Sequence, residues 1–479
     1  MASFTSLGVG SGLDLNTIVT QLVALERQPL QALQTKASGL NSQISLFGRV
    51  NSLFSSLQTA ANKLTDTTLW QKSTVSSSNA AVVSASGTSG APGSYAVTVQ
   101  KLAGNQTVAM DTALSGSDAL VGQGTLRLQL GSWDTDQTAF TPKDGSDELA
   151  IDITATDTLA TLRDKINAAG GGVKASLVTD ASGVRLALRS DSSGLVNGFR
   201  LSVDDIDGNL IDGAGLSRFA FDPPVTTSGL VLKQSAENSR AVVNGIAVES
   251  ASNEISGAVD GVTLTVLQES ATATNVTVKR DKESVTTAVK AFAEAYNAVV
   301  SYLAEQTRYD AGSKTAGALQ GDSTAVGLIS QLRGVLNGAS GASASFPRLS
   351  DLGLQAQRDG TLKVDSGKLD AATNNLDEMK KAFANADGLN AANNGFARRY
   401  ATLSAQVLAT DGALSTRTAS LQKLVSKNSA EQDKVNERVE RVQARLVAQY
   451  TALDSNVAKL NSLGGYVTQM IAQMNKSTG

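Results

Sequence analysis

Apolar residues near the C-terminus recur with a mean step of about 3.5 residues, the period at which helices coil around one another. Glu437 and Arg441, four residues apart, add modest support to this helix on its outer face. An apolar stripe of this length is costly to leave in water, so the fold has to cover it. The stripe consists of Val435, Val439, Val442, Leu446, Tyr450, Leu453, Val457, Leu460, Leu463, Val467, Ile471 and Met474.

The N-terminal end carries a comparable pattern after a Gly-rich start at residues 7–12. Asp14 is placed to cap a first helix, and Pro29 should kink or break it, because proline lacks an amide donor and clashes with the preceding turn. The apolar residues of this helix are Leu15, Ile18, Val19, Leu22, Val23 and Leu25. A second stripe, which we expect to be interrupted near Val50 and Asn51, consists of Leu33, Ala37, Leu40, Ile44, Phe47, Phe54, Leu57, Ala61 and Leu64.

The middle of the chain alternates between apolar and polar residues with period two, which is typical of β-strands. A helix over 158–168 should stop at the glycines that begin with Gly170, and helical pattern resumes at about Glu283. Hairpin-type turn signals lie at Asp180 to Gly183, Asp207-Gly208 and Asp260-Gly261. The predicted strands are 94–102, 125–130, 149–153, 184–188 and 262–267.

These patterns predict an α+β multidomain fold, in which a long helical coiled-coil stalk from both termini carries β-rich domains inserted between them. The two ends should pack on each other, on partner copies, or on both. Asp222-Pro-Pro224 and the strand-rich region near Ser235 suggest that one β domain is nested inside another. The expected division is a terminal coiled-coil leg (1–40 with 436–479), a helical stalk domain (41–73 with 281–435), a β-rich domain (74–108 with 236–280) and a nested outer β-rich domain (109–235).

Composition excludes several classes of function. The chain has 479 residues, 41 basic and 44 acidic side chains for a net charge of −3, and neither Cys nor His. The balanced charge argues against nucleic acid or an anionic membrane as partner, and the missing residues remove the usual thiol nucleophile, general base and metal ligands. The first 25 residues contain no Lys or Arg and no apolar core of a signal peptide. We therefore expect no cleaved signal and no membrane insertion.

Four short motifs carry possible chemistry, and each has a simpler interpretation. The glycines at 8–12 lack the preceding strand of a phosphate loop. Ser323 in Gly-Asp-Ser at 321–323 has no histidine to activate it, so either Asp322 or Ser323 is expected to cap a helix. Ser420 and Lys423 fit a Ser-x-x-Lys spacing without its companion motifs. The acidic run at 204–209 lacks the Gly and Glu of a calcium loop. We predict no catalytic, cofactor-binding or metal-binding residues.

The apolar stripes are therefore the candidate functional site, because together they exceed what one small domain buries. We expect part of them to contact other molecules. The candidate interaction residues are Leu15, Ile18, Leu22, Leu33, Leu40, Ile44, Val439, Val442, Leu446, Leu453, Val457, Leu460, Val467 and Ile471.

An ordered set of shorter motifs resembles the flagellar filament capping protein family, also called hook-associated protein type 2. Each motif is individually weak, and the order of the set makes it specific. The motifs are Gly10-Ser-Gly12-Leu-Asp14, Glu26-Arg-Gln-Pro-Leu30, Leu159 to Asn167, Val173-Lys-Ala175, Val243-Asn-Gly245, Ser252 to Ile255, Gly261 to Leu264, Phe292 to Asn297, Leu319 to Asp322, Leu352-Gly-Leu354 and Asp359 to Leu362.

The resemblance implies a protein that is not an enzyme and needs no cofactor. It implies export through the flagellar type III apparatus, with an export chaperone, to the extracellular distal tip of the flagellum. There a homo-oligomeric ring, with a plate of β-rich domains and legs of terminal helices, would retain flagellin and promote its polymerisation, next to hook–filament junction proteins in the assembly.

Other functions stay open on the sequence alone. The β-rich domains could bind host glycans as an adhesin, and a secreted hydrolase with paired carboxylates needs no histidine. Flagellin and the junction proteins share paired terminal helices but lack the ordered motifs.

Overall fold

The computed structural model describes residues 14–210, 212–223 and 229–476, and the chain divides into two compact units. One unit, Met1–Trp70 with Lys282–Gly479, is mainly helical, and the other, Gln71–Asp281, is mainly β-sheet. The predicted order of helices, strands and helices is confirmed. The Gly-rich segment at 8–12 and Pro224 lie outside the described residues.

The helices are numbered along the chain. In order they are α1 (Leu15–Glu26), α2 (Gln28–Thr65), α3 (Thr67–Gln71), α4 (Leu159–Ala169), α5 (Lys282–Thr307), α6 (Ser323–Asn337), α7 (Ser366–Ala372), α8 (Leu376–Ala384), α9 (Phe396–Leu408) and α10 (Ala413–Lys476). Short 3-10 turns lie at Leu195–Asn197, Ser217–Phe219, Leu349–Leu352, Thr373–Asn375 and Ala391–Asn393.

The strands are short and pair antiparallel. In order they are β1 (Ser73–Ser77), β2 (Val83–Gly87), β3 (Gly93–Lys101), β4 (Thr107–Met110), β5 (Gly124–Trp133), β6 (Phe140–Pro142), β7 (Leu149–Ile153), β8 (Val173–Asp180), β9 (Gly183–Ser190), β10 (Gly198–Asp205), β11 (Leu230–Gln234), β12 (Ser239–Val243), β13 (Ile246–Ser250), β14 (Glu254–Val259), β15 (Val262–Val266), β16 (Thr274–Arg280), β17 (Tyr309–Asp310), β18 (Thr315–Ala316), β19 (Leu354–Ala356) and β20 (Leu362–Val364).

In the helical unit, α2, α5 and α9 form the main core. The expected interruption of the α2 stripe is wrong, because Val50 is itself buried within the stripe. Steps of three and four residues keep every member on one face of the helix. The buried stripe consists of Phe47, Val50, Phe54, Leu57, Ala61 and Leu64.

Two buried tyrosines join the helices of this core. The rings of Tyr296 on α5 and Tyr400 on α9 meet edge to face at 5.5 Å. Their hydroxyls donate to the carbonyl oxygens of Gly360 and Leu332, at 3.0 Å and 3.1 Å. Burial raises the pKa of Tyr296 to about 12, so its hydroxyl stays protonated and able to donate.

The ends of the first two helices form where the sequence predicts. The Asp14 carboxylate accepts the Thr17 backbone amide at 3.0 Å as the N-cap of α1. Its pKa lies below the ordinary value because the Thr17 hydroxyl and amide both donate to it. α1 ends at Glu26, and Pro29 lies in the first turn of α2, where a missing amide donor costs no helical hydrogen bond.

The β-rich unit contains two hydrophobic cores. The sheet ordered β1-β16-β3-β12-β13 and the sheet ordered β14-β15-β2 share one core, which is built largely from valines. The other core lies between a sheet ordered β10-β5-β6, with β7 also on β5, a sheet ordered β11-β4-β9-β8, and α4. The strands of the second core lie between β3 and β12 in the chain.

Two of the three predicted hairpin turns are confirmed. β8 and β9 pair from Asp180 opposite Gly183, and β14 and β15 pair from Val259 opposite Val262. The hairpin at Asp207-Gly208 is wrong: β10 pairs with β5, and the next strand, β11, pairs with β4. The turn does form, with Gly208 at a φ of 75°, but it opens a loop instead of a hairpin.

Candidate interaction surface of the terminal helices

The N-terminal helix α1 packs on α10, which follows it by several hundred residues in the chain. Val19 and Val23 of α1 and Val439 of α10 are buried together. Half-buried Val435, Leu446, Val447 and Tyr450 surround them. Glu26 and Arg438 form an ion pair at 3.6 Å at the edge, where exposure to water leaves it little stabilising effect. The two ends of the chain therefore meet through a small apolar cluster.

Two predicted contact residues of α1 lie beside its buried row. Ile18 is 38% exposed and Leu22 is similarly exposed, whereas Val19 is only 5% exposed. Residues four apart share a helical face, so Leu15, Val19 and Val23 form the buried row. Ile18 and Leu22 flank this row and form a partly exposed apolar edge of α1.

In α2 the predicted contact residues are half-buried. Leu40 and Ile44 pack against the main helical core, and Leu33 lies nearer the start of the helix. These residues therefore combine a structural role with a partly open surface.

In α10 the apolar stripe passes from buried to exposed along the helix. Val439 is buried, while Val442, Leu446 and Val457 are half-buried. Leu460 is 66% exposed, and most of the stripe from Leu453 onward is also open to water. The exposed members of the stripe are Leu453, Leu460, Leu463, Val467, Ile471 and Met474, and Tyr466 and Met470 outside it are exposed as well.

A groove of about 310 Å³ runs along the contact between α1 and α10. Its lining combines Val19 and Val23 of the buried row with polar and small residues. The sequence pattern did not single out these other residues, because only the contact between the two helices makes them part of a surface. The lining consists of Asn16, Val19, Thr20, Val23, Ala24, Arg27 and Gln443.

The residues considered for chemistry serve structural purposes. Asp322 caps α6 and pairs with Arg417 at 2.8 Å, as predicted for a cap, and Ser323 is exposed. A carboxylate oxygen of Asp205 accepts the backbone amides of Leu216 and Ser217, so it shapes a loop. Across the part of the chain that the structure describes, there is no group of three acidic residues that could hold a metal ion.

Among the helices that the structure describes, none combines the length and the apolar character that crossing a membrane requires. The positions of distal α10 outside the exposed stripe are mostly polar or small, with Tyr466 and Met470 as apolar exceptions.

A mixed helix and strand chain whose ends meet in partly exposed apolar helices has the features of a structural assembly protein. Profiles of flagellar hook-associated protein 2 match residues 11–106 for its N-terminal part and 236–462 for its C-terminal part. The flagellin hook IN motif matches residues 139–192.

Relatives match over the full length. The B-type flagellar hook-associated protein 2 of Pseudomonas aeruginosa is 30% identical over 99% of this chain and 98% of its own. The flagellar hook-associated proteins 2 of Escherichia coli (strain K12) and Salmonella typhimurium are 29% and 30% identical, each over 100% of both chains. The crystal structure of the flagellar cap protein FliD D1-D2-D3 domains from Escherichia coli matches with a TM-score of 0.61 and 26% identity, covering 79% of this chain and 99% of that one.

The chain belongs to the flagellar hook-associated protein 2 family. This is a family of structural proteins with a filament-cap role and not of enzymes. The resemblance deduced from the motifs is thus confirmed. The comparisons give no support to the adhesin alternative.

Proposed function

We propose that copies of this chain form a ring at the distal tip of the flagellar filament, where they retain exported flagellin and promote its polymerisation. The observation that carries the proposal is the apolar stripe of α10, whose members from Leu453 to Met474 are exposed in the single chain except for the half-buried Val457. An apolar face of this length is typical of a surface that another helix covers. Family membership supports the flagellum as the setting.

The terminal helices supply the contacts in this proposal. α1 and the distal part of α10 would form a coiled-coil leg, with Leu453, Val457, Leu460, Val467 and Ile471 along one seam and Ile18 and Leu22 on a second face. Leu15, Leu33, Leu40, Val439, Val442 and Leu446 would form the part of the leg nearer the stalk domain, and Ile44 would continue this contact into that domain. The charge-poor seam favours a partner that offers a similar apolar helix.

The domain division that goes with this function has four parts. Residues 1–40 with 436–479 form the leg. Residues 41–73 with 281–435 form the stalk domain, which contains the main helical core. Residues 74–108 with 236–280, and the nested 109–235, form the plate. Two separate hydrophobic cores, one within each of these last parts, support the division.

The proposed setting is outside the cell, after export without a cleaved signal through the type III apparatus. The proposed partners are flagellin, the hook–filament junction proteins, an export chaperone and further copies of this chain.

Deletion of the gene tests the proposal. We expect unpolymerised flagellin in the medium and cells without filaments, with filament growth restored when purified protein is added. Normal filaments on the deletion strain would exclude the capping role.

Two variants connect this test to the exposed stripe. Ile471→Glu places a charge in the seam and should fail to restore growth, whereas Gln473→Glu adds the same side chain at an exposed position outside the predicted seam residues and should restore it. Equal rescue by both variants would show that capping does not use the stripe.

A further inference from the structure

Residues seven apart along α10 form two adjacent rows that are buried or half-buried from Leu414 to Leu446. The polar members of the rows are Thr418, Asn428 and Gln432, and the last two face the same side of the helix one turn apart. One row is Leu414, Leu421, Asn428, Val435 and Val442, and the other is Thr418, Val425, Gln432, Val439 and Leu446.

This polar pair lies between two separate apolar clusters. Leu421 belongs to the main helical core, and Val439 belongs to the small cluster with Val19 and Val23. Between them, the Gln432 side-chain amide donates to the Asn428 side-chain oxygen at 2.6 Å. Asn428 is only 2% exposed. The α10 helix is continuous, but its apolar packing is not.

The hydrogen bond leaves Asn428 only partly satisfied. Its Nδ2 is buried and finds no acceptor among the residues that the structure describes. A buried donor without an acceptor is destabilising, whereas the same group is satisfied by water once the helices separate. The polar pair therefore lowers the free-energy difference between the docked and the opened state at this level of α10.

The contact between α1 and α10 beyond the polar pair is small. Its buried members are Val19, Val23 and Val439, and its ion pair, Glu26 with Arg438, is exposed. Segments with few buried apolar contacts open with lower free energies than a domain core. Because these buried residues form a cluster separate from the main core, opening of the contact need not disturb that core.

We propose that the Asn428–Gln432 pair is a built-in boundary beyond which the two helices of the terminal pair, meaning α1 and α10 beyond Gln432, separate from each other while the main helical core stays folded. Undocking exposes Val19, Val23 and Val439 in addition to the outer stripe. The terminal pair thereby exchanges its internal contact for a contact with another apolar helix. This inference rests on the packing of α10 and does not depend on the capping role.

Hydrogen exchange on the full-length chain, followed by mass spectrometry at increasing denaturant, tests the boundary. Amides of α1 and of residues 435–450 should be protected at least about tenfold less than those of 285–303 in α5, with a smaller dependence on denaturant. Equal protection and equal dependence in all three segments would overturn the proposal, because they would show a single cooperative unit.

The Asn428→Leu/Gln432→Leu double variant tests the role of the polar pair itself. Filling the gap between the clusters should slow exchange in α1 and in 435–450 by about tenfold or more, toward that of α5. Gln449→Leu is the control: it lies in the same row at an exposed position and should leave exchange unchanged. Unchanged exchange in a folded double variant would overturn the assignment. If the double variant does not fold, the comparison of α1, 435–450 and 285–303 within the wild-type chain tests the proposal instead.

Discussion

Two of the motifs that carry the family resemblance end in an asparagine whose side chain binds the backbone of a neighbouring segment. The Asn297 side chain accepts the Leu362 amide at 2.6 Å and donates to its carbonyl oxygen at 2.8 Å. Asn167 makes the same pair of hydrogen bonds with Ala175, at 2.8 Å and 3.0 Å. A carboxamide offers one donor and one acceptor side by side, so it completes a peptide group as a paired strand does. These motifs therefore fix strand positions rather than form a chemical site.

Asn297→Ala should destabilise the helical unit. It leaves both the amide and the carbonyl of Leu362 without their partner, at a cost of about 1–3 kcal/mol of unfolding free energy. Chemical denaturation measures the change. Asn51→Ala, at an exposed position of α2, is the control and should change stability by no more than about 0.5 kcal/mol. Equal effects of both substitutions would contradict the clamp role.

Asp322 and the adjacent Ser323 provide a second matched pair. Asp322→Ala removes the cap from the amides of Thr324 and Ala325 and leaves Arg417 without its partner. We expect a loss of about 2–4 kcal/mol in unfolding free energy. Ser323→Ala changes an exposed side chain and should be nearly neutral. A larger loss of unfolding free energy in Ser323→Ala than in Asp322→Ala would mean that the helix cap does not explain this motif.

Local patterns predicted the caps but not the clamps, for a physical reason. As helix caps, Asp14 and Asp322 accept amides that lie within three residues of them, so the surrounding sequence contains the whole cap. Asn297 acts on Leu362, which is 65 residues away, and no periodicity carries that pairing. The partner became known only from the fold.

At the scale of elements, the distal part of α10 depends on its apolar face for stability. Gly464 and Gly465 lie inside the helix, with open space where a Cβ would be. A glycine in a helix interior costs about 1 kcal/mol relative to alanine. With neither close packing nor good local propensity, this segment gains most from a partner helix. That is consistent with a surface used in assembly.

The two faces of α1 should respond differently to a charge. Val19→Asp places a carboxylate in the buried cluster, so it should undock α1 and raise the rate of tryptic cleavage after Arg27 by about tenfold or more. Ile18→Asp lies on the exposed face and should leave cleavage as in the wild type. Faster cleavage in both variants would indicate that the two faces are not distinct.

Glu378 in the first turn of α8 should make the folding stability of the protein depend on pH. Lys381 and then Ser343 donate to its carboxylate, and these hydrogen bonds lower its pKa to about 2. The folded-state pKa is below the unfolded one, so the stabilisation is complete above about pH 4.5 and is lost as the pH falls toward 2.

The measurement is thermal unfolding at a series of acidic pH values. Glu378→Gln should lose less in melting temperature than the wild type between about pH 5 and 2, because the titrating group is gone. Glu440→Gln, at an exposed position of α10, serves as control and should follow the wild-type profile. Identical profiles for all three proteins would rule out a contribution from Glu378.

Periodicity predicted the helices well and the face of α1 less well. Leu15 with Ile18 and Leu22, and Leu15 with Val19 and Val23, are both acceptable helical rows. The choice between them is made by α10, which lies at the other end of the sequence. The false hairpin at Asp207-Gly208 has a similar origin, because local turn chemistry does not specify which strand pairs next.

At the scale of the whole molecule, the two ends of the chain form one surface, and its apolar character determines how assembly should depend on conditions. Burial of the α10 stripe is driven by the hydrophobic effect, which salt does not screen. If copies associate through this stripe, the assembled state should persist at high ionic strength. Dissociation by moderate salt would instead indicate contacts between charged surfaces.

The final prediction concerns assembly of the purified full-length chain. Leu460 is largely exposed, so Leu460→Asp should leave the folded monomer as stable as the wild type, within about 0.5 kcal/mol. In an assembly the same change buries a charge without a partner, which costs several kcal/mol and shifts sedimentation toward monomers. Asn461→Asp adds the same charge beside the stripe and should assemble normally. Assembly by Leu460→Asp at wild-type concentrations would mean that the copies meet through another surface, and the outer face of α1, with Ile18 and Leu22, would then be the next to test.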